Sequence, residues 1–201
     1  SKKKEKPKLS EIHIQNLLKR AIESHRKGFR REAEQSYKEI LNFAPDHPDA
    51  NHNLAVLMIG AGHGNVALSY FRQALQKRPE TDQYWFSYIE ALIKLKKIDE
   101  AKIILRKGLK LGLKGEKLNK LTAKFGSVKN DELEKLMNLY SSGNFKQVID
   151  FGNSLLNSSP FNDQVLNILG CAHLALGSNS TAKAYIDQTL QINPLFPAAP
   201  G

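Results

Sequence analysis

Residues 66–79 read VALSYFRQALQKRP, and three of them decide the architecture: Ala67, Phe71 and Pro79. Thirty-four residues earlier stand Ala33, Tyr37 and Pro45, and 34 residues later Ala101 keeps the alanine. After an interruption the interval returns, from Gly143 to Gly177 and from Pro160 to Pro194. A small residue, an aromatic and a proline recurring in one register mark stacked units, none of which buries its apolar face alone. Within the second unit, Asn51 to Ala61 and Val66 to Lys77 carry apolar residues at helical spacing, parted by the turn Gly62–Gly64. Asp46 and Asp49 stand where a helix start favours an acceptor or a negative charge. Pro79 ends the second helix, because its ring cannot continue the hydrogen-bond ladder. The fold expected is all-α.

These residues resemble the tetratricopeptide repeat family, whose 34-residue unit is a helix–turn–helix. Unit one, residues 14–47, offers Leu17, Ala21, Ala33, Tyr37 and Pro45; unit two, 48–81, offers Leu54, Ala55, Ala67, Phe71, Ala74 and Pro79. Unit three, 82–115, has Trp85 and Ala101 but no closing proline. Unit four, 129–162, is degenerate, with Val148 at the small position and Gly152 at the aromatic one. Unit five, 163–196, restores Leu169, Gly170, Ala182 and Pro194. The resemblance implies a right-handed superhelix, an α-solenoid of helix–turn–helix repeats. Units one to three fill 11–115 and units four and five 129–196. Residues 116–128, with Leu118, Leu121 and Phe125 on one face, are expected to form an extra short helix or linker between them. Residues 1–10 are read as a basic disordered tail, and 197–201 as the start of a truncated sixth unit, so the chain is expected to be part of a longer protein.

Composition narrows the function classes. The 201 residues are 41% hydrophobic and 25% charged, the balance of an ordinary folded protein. Leu54 to Gly62, the longest nearly unbroken apolar run, is about half the ~20 residues that a membrane-crossing helix needs. With no apolar leader and one cysteine, Cys171, the expectation is a cytoplasmic protein without a disulfide framework or transmembrane anchor. The net charge of +10 is concentrated in the first ten residues and in a band over 94–120. That band includes the patch Lys96, Lys97, Lys102, Arg106, Lys107 and Lys110. A solvated helix face is its plain reading; an acidic protein or a membrane surface is the alternative. Nucleic acid is disfavoured, because no aromatic platform interleaves with the lysines.

No catalytic constellation stands out, and no metal or cofactor is expected. His47, His52 and His63 share one repeat, but the helix between the last two separates them by about 16 Å. Cys171 lacks a base partner and reads as a small packed residue. The Gly60–Gly64 stretch lacks the lysine and hydroxyl residue of a phosphate loop. What stacked hairpins do provide is a groove lined by the first helix of each pair. The residues expected to line it are Gln15, Leu18, Ile22 and Arg26; Asp49, His52, Asn53, Val56 and Ile59; Gln83, Phe86, Glu90 and Lys94; Leu133, Met137 and Tyr140; and Asn167, Cys171 and Leu174. The mixture suits a protein or peptide ligand.

A carboxylate-clamping chaperone adaptor is a poor match: only Asn53 keeps its clamp residue, and Glu90 would repel a carboxylate. Asn53 also stands at the asparagine-ladder position of protein O-GlcNAc transferases, although Lys19, Ser87, Glu134 and Ile168 replace it elsewhere. The phrases Tyr84 to Leu92, Ile98 to Ala101 and Gly108 to Gly115 are similar to N-terminal repeat regions that bacteria fuse to O-GlcNAc-transferase-like enzymes, sulfotransferases and methyltransferases. The resemblance implies a non-catalytic recruiting region beside a downstream catalytic domain. The alternative is a free-standing scaffold that self-associates, as a homo-oligomer, through its terminal repeats.

Overall fold

In the computed structural model, which describes residues 10–114 and 117–196, the chain is punctuated by two alternating kinds of helix stop. The helices are α1 (Glu11–Arg26), α2 (Arg30–Phe43), α3 (Pro48–Gly60), α4 (Gly64–Lys77), α5 (Asp82–Lys94), α6 (Ile98–Lys110), α7 (Lys117–Thr122), α8 (Asn130–Ser141), α9 (Phe145–Ser158), α10 (Asp163–Ala175) and α11 (Asn179–Ile192). A short 3-10 turn, Ala123–Phe125, follows α7. No strand occurs among the described residues. The expected tail and sixth-unit start, apart from Ser10, lie outside those residues.

The first helix of each pair ends on a left-handed residue. Gly28, Gly62, Gly143 and Gly177 have φ between 72° and 85°, and Lys96 takes the same place with φ 62°. The hydrogen bonds are those of a Schellman cap: His63 N–H donates to Met58 O at 2.9 Å, and Lys97 N–H to Leu92 O at 2.9 Å. Second helices stop differently. Ala44, Arg78, Ser159 and Asn193 have φ between −129° and −135°, and each precedes a proline. The proline ring forces the residue before it out of the helical region. In the third pair Leu113 replaces the proline, and Gly112 closes α6 in the left-handed region at φ 93°.

The chain divides into two compact units, residues 1–105 and 106–201, and the division runs through α6. In the first unit α1 packs on α2 and α3 on α4, with α2 against α3 and α4 against α5. Ala33, Ala67 and Ala101 are fully buried, as is Tyr37, and Phe71 is nearly so. The repeated alanine lets helices approach, and the ring fills the space beside it. Helix α3 starts earlier than the apolar spacing suggests, at Pro48. His47 caps it, its Nδ1 accepting from Ala50 N–H at 3.2 Å. Asp46 therefore is not the cap; it pairs with Lys77 at 2.5 Å.

The second unit packs α8, α9, α10 and α11, with α7 against α11. Its core holds Leu136, Val148, Leu155, Val165, Leu169 and Ala172. Gly152 makes room for a neighbour rather than supplying a ring: a Cβ on it would lie 2.7 Å from Leu169 Cδ2. Leu118, Leu121 and Phe125 are buried, and the Phe125 ring meets Phe161 edge-on at 5.3 Å. Gly126, at φ 119°, allows the chain to pass the Ser158 carbonyl, which any Cβ there would overlap.

Candidate functional site

In the first unit, α1, α3 and α5 are the first helices of successive pairs, and α3 contacts both of the others. A hydrogen-bonded row joins α5 to α3. Gln83 Nε2 donates to Ser87 Oγ at 3.0 Å, Ser87 Oγ lies 2.9 Å from His52 Nε2, and His52 Nδ1 lies 3.2 Å from Asn53 Oδ1. A neutral imidazole satisfies the row, accepting from Ser87 and donating to Asn53. Burial pushes the His52 pKa down, opposed by the bond to Asn53 and the charge of Asp49. The Tyr84 ring stacks on His52 at 4.6 Å, and its hydroxyl donates to Asp49 Oδ1 at 2.5 Å. Arg78 reaches Asp49 from the other side at 3.4 Å.

This placement corrects two expected lining residues. Phe86 is 6% exposed and His52 8% exposed, so neither offers a ligand much surface. Their aromatic bodies are consumed in packing α5 on its neighbours. Asn53 remains half-buried, and Ile22 and Val56 are exposed at 44% and 36%. Gln15, Gln83, Glu90 and Lys94 are exposed, whereas Leu18 and Ile59 are half-buried. Arg26 is exposed but engaged, donating twice to Glu23 at 3.0 and 3.1 Å. Together with Lys27 it holds the Glu23 carboxyl down at about 2.

In the second unit, Met137 and Leu174 are exposed, while Leu133, Tyr140, Asn167 and Cys171 are half-buried. Burial pushes the Cys171 thiol up, against a hydrogen bond with Tyr140 that lowers it. The thiol therefore lacks the thiolate character that nucleophiles need. Among the described residues no three His, Cys, Asp or Glu side chains converge as metal ligands. No described helix is long and apolar enough to cross a membrane. In the basic patch, Lys97 pairs with Glu100 at 2.6 Å, Lys102 is half-buried, and Arg106 lies 5.9 Å over the Phe161 ring. Lys96, Lys107 and Lys110 are exposed.

Sequence reasoning missed the Tyr84 joint. A signal for it exists: Asp49–Tyr84 and His52–Ser87 are both pairs 35 residues apart, one repeat plus one residue. Complementary side chains at that offset meet between successive first helices.

Residues 59–125 match a protein-family model described as Tetratricopeptide repeat. Among solved structures, a tetratricopeptide repeat protein from Parabacteroides merdae is 18% identical with a TM-score of 0.50, covering 90% of this chain and 66% of that one. YrrB, described as a TPR protein with an unusual peptide-binding site, is 15% identical with a TM-score of 0.48, covering 90% and 86%. The MamA protein is 13% identical with a TM-score of 0.47, covering 93% and 98%. Comparison with curated proteins gives no match. The family model thus covers residues 59–125, and the fold is an all-α solenoid of helical repeats.

Proposed function

We propose that the chain is a non-catalytic module that binds a protein or peptide along the face made by α1, α3 and α5. The row Gln83–Ser87–His52–Asn53 carries this reading. Its inner members are satisfied by one another, so the row holds Asn53 in one orientation, one turn of α3 from the exposed Val56, and Ile22 on α1 is exposed as well. A preorganised amide beside apolar contacts suits an extended backbone with apolar side chains. In the finer form of the proposal, the module recruits substrates or partners for a bacterial transferase domain in the same polypeptide.

The test is selection of binding peptides from a displayed library, followed by Asn53→Ala and Ile22→Asp. Each variant is expected to weaken the selected peptides at least about tenfold, the loss of a hydrogen bond or an apolar anchor in a buried contact. Binding unchanged in both variants contradicts the reading.

The exposed apolar groups of the last pair favour a second reading. Leu190 and Leu195 are 45% and 92% exposed, a face through which copies could self-associate as a scaffold. Light scattering after size-exclusion chromatography over a concentration series separates the readings. A rising mass that Leu190→Lys abolishes supports the scaffold, and a constant monomer mass refutes it.

A further inference from the structure

The second unit carries a different feature, on helices that the α1–α3–α5 face does not use. A cleft of about 570 Å³ opens between α9 and α11, lined by Asn153, Asn157, Tyr185 and Gln188, with Arg106 of α6 beside them. Arg106 is held over the Phe161 ring, a contact that fixes a guanidinium without neutralising it. Lys110 follows it by four residues and so shares its helix face, and Lys107 and Lys114 are exposed next to this face in sequence. Among the described residues, no carboxylate pairs with Arg106, Lys107, Lys110 or Lys114. From 106 to 124 the sequence holds seven basic residues and a single acid, Glu116.

We propose that this cleft and its cationic border dock an acidic polypeptide segment, a carboxylate meeting Arg106 while the amides of α9 and α11 bond the backbone. Charge complementarity supplies the attraction, and a lining that mixes the amides of Asn153, Asn157 and Gln188 with the apolar Leu156 and Leu166 supplies the preference for a polypeptide. Two observations argue against other polyanions. The cleft's aromatic, Tyr185, already stacks on His173 at 5.5 Å and donates to Asn153 Oδ1 at 3.1 Å, so its ring is not an open platform for bases. Among the cationic residues 106–114 only Leu111 is an exposed large apolar group, too little for the apolar face with which a helix enters a bilayer.

The experiment is fluorescence anisotropy of the full chain with a labelled peptide alternating Glu and Gly, against the same peptide with Gln for Glu. It is run in salt at which screening extends over about 8 Å. The acidic peptide is expected to bind and the Gln peptide not. The variant R106Q/K107Q/K110Q/K114Q is expected to bind at least about tenfold more weakly, and Gln188→Ala more weakly with its charge unchanged. K2Q/K3Q/K4Q/K6Q, which removes the same charge elsewhere, is expected to bind as the parent does. Equal losses in the two quadruple variants overturn the proposal, because only net charge would then matter. Tighter capture of single-stranded DNA or phosphatidylserine vesicles through Arg106 and its neighbours overturns the choice of partner.

Discussion

The two compact units solve the same packing problem with opposite means. In residues 1–105 the space between helices is filled by rings: Tyr37 and Phe71 sit beside the buried Ala33 and Ala67, and Phe71 stacks on Tyr88 at 5.6 Å. In residues 106–201 glycine stands at Gly152 where a ring stood, and Leu169 comes in from α10 to fill the gap. The lesson is that the repeat interval survives the loss of its signature side chains. The helix stops preserve it, since Gly143, Gly177, Pro160 and Pro194 still set helix lengths when the filling residues change.

Phe71→Ala removes a ring that nothing nearby can replace, and is expected to cost about 4 kcal/mol, read by urea denaturation. Gly126→Ala strikes the second unit. It forces a Cβ onto the Ser158 carbonyl at a φ that L side chains rarely adopt, for an expected loss of about 3 kcal/mol. A loss below about 1 kcal/mol in either variant would show that the site repacks.

In the first unit, His52 couples stability to pH. Burial depresses its folded pKa below the ordinary value of 6.5. The unfolded chain then binds the proton more readily, so stability falls as pH drops below about 6.5, by at most ~1.4 kcal/mol per pH unit for one proton. His25, which burial also depresses, acts in the same direction. His52→Gln is expected to flatten the pH dependence and leave the His25 share. An unchanged slope contradicts the account of the row.

The smallest effect tests the stops themselves. Lys96 adopts φ 62° where glycine serves the other first helices. Lys96→Gly is expected to raise stability by about 1 kcal/mol, the cost of a left-handed side-chain residue. A loss of stability would show that the lysine side chain contributes there.

Much of this was legible in the sequence, and the reasons are local. Alanine, aromatic and proline recur because each repeat needs a close approach, a filler and a stop, all readable from one position at a time. The helix pairs followed from that reading; the Leu118–Leu121–Phe125 face was read separately, from apolar spacing outside the repeats. Burial of Phe86 and His52 followed from neither. A groove position and a joint position share the same helical face; for His52 the partner at one repeat plus one residue, Ser87, tells them apart. Cap identity was also hidden: α3 starts at Pro48, so His47 stands at the cap position and accepts from Ala50 N–H, while Asp46 lies one residue further out and pairs with Lys77.

The central functional claim is that the first helices of the first unit grip a polypeptide. Its most direct test places a photo-crosslinking residue at Val56 on α3 and, separately, at Ile103 on α6, exposed at 36% and 61%. With a peptide obtained by selection on the full chain, irradiation is expected to link it at Val56 and not at Ile103. Linkage at Ile103 alone, or equally at both, contradicts the account.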